Sequence, residues 1–278
     1  MRALLFPGQG AQKAAVAQRF LAGYRPLVEP ILQEVDKAIP ELHLSRLLTE
    51  SVSNVDINAT EIAQPLLVAA GYISFRVWQE SQHARIENVC GVGHSIGEYT
   101  ALTSAGALPL SSMLNIVYTR GKLMKKYCSP LYGMTMLIDL KNIGITDKIL
   151  AVCAENDVQV ASYNTPSRTV ISGLKQNISS AVAELKSLYS VKSLDLKVSG
   201  AFHSKYMLPA AQELQNSVKA AEWKMTLFPV ISNLTGLPYT SVDEIKKNLI
   251  DSMTRPVLLT QSLQAVEEVI DMSKIEID

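Results

Sequence analysis

The sequence predicts an α/β fold in which a second, smaller sheet is inserted into a larger unit. Three observations predict it. An apolar run, Val89-Cys90-Gly91-Val92, enters Gly93-His94-Ser95-Ile96-Gly97 and leaves into a helix-like segment, 96–107. From residue 134 to residue 198 the apolar spacing switches between strand and helix periods in the order β-α-β-β-α-β. The 278 residues are 47% hydrophobic and 19% charged, which supplies a sizeable core and argues against disorder.

Taken in order, residues 3–6 read as a short buried strand, closed by the turn Pro7-Gly8-Gln9-Gly10. The two glycines around Gln9 let the backbone approach a ligand closely. The third glycine and later acid of a dinucleotide fingerprint are missing, which argues against a nicotinamide site. Residues 13–38 have helical spacing interrupted at Pro26 and Pro30, and 42–48 form a short helix. Pro65 sits at the first turn of a helix over 66–79 that is apolar nearly all round, hence buried. After the Gly-Ser-Gly stretch, 110–126 is helical, with Met113, Leu114, Val117 and Leu123 apolar. Arg120 lies mid-helix beside Gly121. A glycine there costs about 1 kcal/mol relative to alanine and often marks close packing. An isolated helical arginine is ordinarily solvated.

The insert follows. It comprises a strand over 134–140, a helix over 146–155 and strands over 158–161 and 169–173, the last two joined through Asn164-Thr165-Pro166-Ser167. A helix over 177–188 and a strand over 193–198 complete a ferredoxin-like unit. Gly200-Ala201-Phe202-His203-Ser204 returns to the first unit. Helix 208–223, strand 228–233, helices 243–252 and 258–266, and a short strand within 267–278 finish the chain. The expected division is a large subdomain of residues 1–127 and 199–278 and a small one of 128–198.

Composition removes several function classes. A formal net charge of zero and a pI near 6.9 give no reason to expect nucleic acid or an anionic membrane as partner. Cys90, Cys128 and Cys153 are odd in number and widely spaced, without C-x-x-C. Neither a disulfide framework nor a zinc site is expected, and a reducing, cytoplasmic compartment fits best. No apolar run approaches the ~20 residues of a membrane span. The apolar N-terminal stretch is cut at Pro7, too early for a signal peptide.

Strand, sharp Gly-x-Ser-x-Gly turn and helix make a nucleophile elbow of the α/β-hydrolase kind. Ser95 would stand at the bend, with the helix's first N–H groups and positive dipole end aimed at the same spot. A second oxyanion donor must come from another loop, and the loop of Gln9 is the candidate. On the pentapeptide alone, a purely structural glycine-rich turn is an equal reading.

Four stretches in order change that balance: Phe6-Pro7-Gly8-Gln9-Gly10-Ala11-Gln12, Gly93-His94-Ser95-Ile96-Gly97-Glu98, Arg120-Gly121 and Ala201-Phe202-His203-Ser204. They resemble the four blocks of malonyl-CoA:acyl carrier protein transacylases, most of all the freestanding acyltransferases that serve polyketide synthases in trans. Asn164-Thr165-Pro166 and Val230-Ile231-Ser232-Asn233 are similar to that group as well. The resemblance implies that Ser95 carries the acyl group as an ester and that His203 moves its proton. It implies an oxyanion hole from the main-chain N–H groups of Gln9 and Ile96. Arg120 would grip the malonyl carboxylate, overriding the solvated reading. His94 and Phe202 would border the acyl pocket, Phe202 filling the space that the branching methyl of methylmalonyl needs. In place of a third acidic residue, main-chain carbonyls around Pro256-Val257-Leu258 would orient the histidine.

Malonyl-CoA is then the substrate, with no bound cofactor or metal. The partners are a phosphopantetheinylated acyl carrier protein and polyketide synthase modules in trans, in polyketide or fatty acid biosynthesis. Family members usually continue with a Gly-rich Val-Gly-x-Gly turn and a helix, which do not occur before Asp278. The competing readings are an acyl hydrolase that clears carrier proteins and a non-catalytic carrier-docking module. Hydrolases of this fold tend to lack the arginine.

Overall fold

The computed structural model describes residues 2–83, 86, 89–141, 144 and 146–275, the last five by their backbone alone. Two sheets organise them. The first is parallel, with β1 (Arg2–Phe6), β2 (Val89–Gly93) and β7 (Val230–Ile231) in the order β1-β2-β7. Phe6 pairs with Gly93 and Val92 with Ile231. The loops after all three strands therefore leave from the same edge, the carboxyl end where parallel sheets place ligands.

Helices cover both faces of this sheet. Packed with the main core are α3 (Thr60–Gln82), α4 (Ile96–Ser104) and α5 (Leu110–Lys126). On the other side α10 (Leu259–Ile275) buries Ala265 and Val266 against Cys90, Val92 and Ile231. β2, covered twice, is buried along its whole length. β1 is not the buried strand expected. It pairs on one side only, Phe6 alone is buried, and Leu5 is 64% exposed. Its outer residues line a groove of about 320 Å³ against α3 that contains neither Ser95 nor His203.

The second sheet is antiparallel throughout. It comprises β3 (Tyr132–Asp139), β4 (Gln159–Thr165), β5 (Arg168–Leu174) and β6 (Val191–Asp195) in the order β4-β5-β3-β6. Alternate residues point to opposite faces. Leu137 and Ile171 pack under α6 (Thr146–Glu155) and α7 (Lys175–Leu188), whereas Met134 and Val170 join the main core. The small sheet thus roofs the carboxyl end of the parallel one. It is tied there by two main-chain hydrogen bonds, Tyr163 N–H to the Val257 carbonyl and Val257 N–H to that of Ala161, both 2.9 Å.

Several boundaries differ from the sequence reading, each for a physical reason. α1 (Gln18–Ala38) runs through both prolines. Only Tyr24 departs from helical geometry (φ −130°, ψ 27°), so Pro26 opens a second helical segment, where a missing N–H leaves no bond unmade. A short α2 (Leu44–Thr49) follows. α3 begins at Thr60, five residues before the proline thought to open it. The strand expected over 193–198 stops at Asp195, and Leu196 and Val198 turn into the cavity below. The strand expected over 228–233 keeps only Val230–Ile231, because Ser232 and Asn233 leave the ladder for other partners. α8 (Leu208–Ala220) and α9 (Val242–Asp251) precede α10, which occupies 267–275 in place of a terminal strand. Residues 276–278 of that expectation lie outside the described residues, as does Asn88 before the elbow. Among the described residues no helix is long and apolar enough to cross a membrane.

Candidate active site

The site starts at the bend between β2 and α4. Ser95 has φ 52° and ψ −108°, a conformation that a residue with a Cβ adopts only when its surroundings force it. The flanking glycines supply the room. A Cβ on Gly93 would stand 2.0 Å from the carbonyl carbon of Gly97, and one on Gly97 would stand 2.2 Å from the oxygen of Phe6. The motif therefore reflects crowding of strand, helix and neighbouring loop. The Ser95 N–H is taken by Asn233 Oδ1 at 2.7 Å. The N–H groups of Ile96 and Gln9 have no acceptor among the described residues, and both residues line the cavity that Ser95 faces.

His203, 108 residues later in the chain, meets Ser95. Its Nδ1–H donates to the main-chain oxygen of Ser252 at 2.7 Å, which leaves Nε2 unprotonated to accept from the Ser95 hydroxyl at 2.8 Å. Ser252 caps the carboxyl end of α9. Its carbonyl is one that a helix end leaves without a helical partner, at the negative end of the dipole. The orienting group is thus main chain, as expected, but it lies four residues before Pro256, because the end of α9 and not the following turn reaches the imidazole. Burial, followed by the charge of Arg120, pushes the imidazole down to about 3, against the pull of the Ser252 and Arg255 main chain. His203 is neutral at physiological pH.

Arg120 is 2% exposed. Gly121 explains its depth: a Cβ there would stand 2.6 Å from the Cα of Glu61, so only glycine lets α5 settle onto the first turn of α3. Arg120 Nη1 donates to Gln64 Oε1 at 2.7 Å, Nη2 approaches Ser95 Oγ at 3.4 Å, and the guanidinium carbon lies 5.4 Å from the Tyr99 ring centre. Nε has no partner. The ion pairs among the described residues all involve other cations. A buried cation without a counter-ion is costly and is suited to receiving an anion.

These groups surround a cavity of about 210 Å³. Gln9, His94, Ser95, Arg120 and His203 form its polar floor, while Phe202, Met134, Met136, Val170, Leu196 and Val198 give it apolar walls. Phe202 is 5% exposed. His94 Nε2 and Asn164 Oδ1 are 2.9 Å apart, a hydrogen bond from the elbow to β4 that places Asn164 in a strand and not in the expected connection. The His94 ring fills the space a Cβ on Gly8 would need, and burial lowers its pKa. His43 and His83 are exposed and stand at helix ends with positive φ. No group of three or more His, Cys, Asp or Glu side chains among the described residues could hold a metal.

Sequence reading missed four participants: Gln64, Asn233, Ser252 and Glu98. Glu98 stood in a quoted block without a role. It is 1% exposed, and burial pushes its carboxyl up to about 7. A glutamate three residues past Ser95, the one charged residue of an otherwise uncharged helix, was the available signal. Nothing local marks Ser252, whose contribution is a carbonyl oxygen.

A family model described as the acyl transferase domain matches residues 3–278. The chain belongs to the acyl transferase family. The malonyl CoA-acyl carrier protein transacylase of Bacillus subtilis is 32% identical, with 94% of this acyl transferase and 81% of that protein covered. The polyketide biosynthesis protein PksE of the same organism is 34% identical over 94% of the chain, which spans 32% of PksE. A crystal structure of an acyl carrier protein S-malonyltransferase from Vibrio cholerae matches with a TM-score of 0.86 and 29% identity, covering 97% of this chain and 87% of that one.

Proposed function

We propose that this acyl transferase moves a malonyl group from malonyl-CoA to the phosphopantetheine thiol of an acyl carrier protein, through an ester on Ser95. The observation that carries this is the pairing of Ser95 Oγ with a neutral His203 Nε2, 2.8 Å away, beside a buried guanidinium that makes no ion pair among the described residues. Ser95 Oγ attacks the thioester carbon while its proton passes to His203 Nε2. The developing oxyanion is held by the N–H groups of Gln9 and Ile96, each worth about 3 kcal/mol in such sites. Collapse expels the CoA thiolate, which takes the proton back from His203. The carrier thiol then attacks the ester by the reverse sequence.

Arg120 selects the acyl group. A carboxylate can accept two parallel hydrogen bonds from it, at roughly 1.5–3 kcal/mol each, so that even one of them is enough to favour malonyl over acetyl by one or two orders of magnitude. Phe202 occupies the space of a branching methyl, which favours malonyl over methylmalonyl. No bound cofactor or metal has a part in this chemistry. The resemblance to PksE and to the transacylase supports work alongside polyketide synthase modules or in fatty acid synthesis. Three free cysteines suit the cytoplasm.

Intact-mass measurement after exposure to malonyl-, methylmalonyl- and acetyl-CoA tests the reading. Malonyl ester on Ser95, delivered to a carrier protein faster than it hydrolyses, is the expected result. Ester formation that persists in Ser95→Ala overturns it, and release of acid outpacing transfer would make the chain a hydrolase.

A further inference from the structure

Ser95 holds a strained backbone, and something must hold it there. Asn233, 1% exposed and just past β7, touches the elbow on both sides of His94. Its Oδ1 accepts from the N–H of Ser95 at 2.7 Å, and its Nδ2 donates to the oxygen of Gly93 at 2.5 Å. One planar carboxamide thus fixes the last residue of β2 and the nucleophile together. Asn233 is held in turn. Its N–H donates to Glu98 Oε1 at 2.8 Å, its carbonyl accepts from Leu258 N–H at 2.8 Å, and the hydroxyl of Tyr239 donates to the same Glu98 oxygen at 2.7 Å. Glu98 lies on α4, the helix that Ser95 opens. The contacts close a ring: nucleophile, carboxamide, carboxyl, one turn of helix, nucleophile.

From this ring we infer that Asn233 and Glu98 are positioning residues for the acyl transfer. Asn233 clamps the bend at Ser95, and Glu98, steadied by Tyr239, clamps Asn233. The inference rests on Ser95 being the nucleophile. Neither residue belongs to the cavity lining, and neither bonds Arg120, Gln9 or His203. Their loss should therefore slow attack without weakening capture of the substrate carboxylate. The carboxamide is suited to the task because it offers a donor and an acceptor in one rigid plane. Aspartate could keep the acceptor but not the donor. Glutamine in place of Glu98 keeps an acceptor oxygen for both Asn233 and Tyr239. Displacement of a reacting group by about 1 Å can cost on the order of 10²-fold in rate.

The test compares wild type, Asn233→Ala, Asn233→Asp, Glu98→Leu and Glu98→Gln. Readouts are single-turnover acylation by malonyl-CoA, labelling by a fluorophosphonate probe, and kcat and KM with a carrier protein, each per folded molecule as gauged by circular dichroism. Asn233→Ala should acylate about 10²-fold more slowly with KM for malonyl-CoA within about twofold of wild type. Asn233→Asp should fall between, Glu98→Leu should follow Asn233→Ala, and Glu98→Gln should restore most of the rate. Wild-type acylation and labelling in Asn233→Ala overturns the inference, as does a loss confined to KM. If Asn233→Ala does not fold, the Glu98 pair decides: equal rates in Glu98→Leu and Glu98→Gln overturn the clamp. A wild-type protein that the probe and malonyl-CoA both fail to label at Ser95 defeats the proposed function instead, a separate result.

Discussion

The floor and the roof of the cavity are built on opposite principles. The floor is polar and held by directional bonds: Ser95 to His203, His203 to the end of α9, Arg120 to Gln64. Two of its residues, Ser95 and His203, have positive φ. The roof, drawn from one face of the antiparallel sheet, is mostly apolar and rich in methionine, with Met134 and Met136 on β3, and its polar exceptions are Ser162 and Asn164 on β4. Hydrogen bonds fix atoms within tenths of an ångström, whereas unbranched thioethers re-pack. Reaction geometry belongs to the floor, and accommodation of the acyl chain to the roof.

The sharpest way to break this contrast is at the elbow. Gly93→Ala should abolish acylation, because its Cβ would need the space of the Gly97 main chain; a variant with near-wild-type labelling by fluorophosphonate would show the floor to be softer than described. Next in size is Arg120→Ala. It should lower kcat/KM for malonyl-CoA by about 10- to 100-fold more than for acetyl-CoA, since acetyl transfer loses only the arginine's contacts to Gln64 and Ser95 whereas malonyl also loses its carboxylate contacts. An equal loss for both acyl groups in steady-state assays would place Arg120 in structure and not in selection.

The pH dependence sharpens the same division. His203 is depressed to about 3, well below its ordinary 6.5. The folded state therefore resists a proton that the unfolded chain accepts. Stability from this group is complete above pH 6.5 and is lost as pH falls toward 3. The loss should reach about 2 kcal/mol by pH 5. Urea titrations at pH 7 and pH 5 should show a smaller difference for His203→Gln than for wild type. The acid limb of kcat/KM attributable to the base should likewise fall below pH 6.5. A limb at 6.5 would mean that the imidazole is more solvated than its burial implies.

The smallest effect belongs to the roof. Met134→Leu, close to volume-conserving, should cost under about 1.5 kcal/mol in thermal unfolding and leave malonyl transfer within a few-fold of wild type. A large loss of rate would make the roof as exacting as the floor.

Much of this was readable beforehand. Helix 110–126 and helix 146–155 coincide with α5 and α6, because unbroken apolar periodicity marks a helix that packs on one side. The β-α-β-β-α-β order was legible for the same reason. Pro65, by contrast, pointed to a helix start, yet α3 begins at Thr60, where the N–H groups of Ile62 and Ala63 donate to the Ala59 carbonyl. β1 was read as buried from its composition, yet it occupies an edge, and composition does not say which strand pairs on one side only.

The residue order singled out Ser95, His203 and Arg120 through four stretches that resemble the transacylase blocks, whereas local chemistry alone left the serine turn an equal structural reading and Arg120 solvated. Three-dimensional packing decided what makes them work. Ser252 acts through a carbonyl, which every residue has. Asn233 reaches Gly93 and Ser95, Glu98 reaches Asn233, and Gln64 reaches Arg120, across 56 to 140 positions of the chain. A hydrogen bond depends on distance and angle in space, and neither is written in the spacing of residues along a chain until the chain has folded.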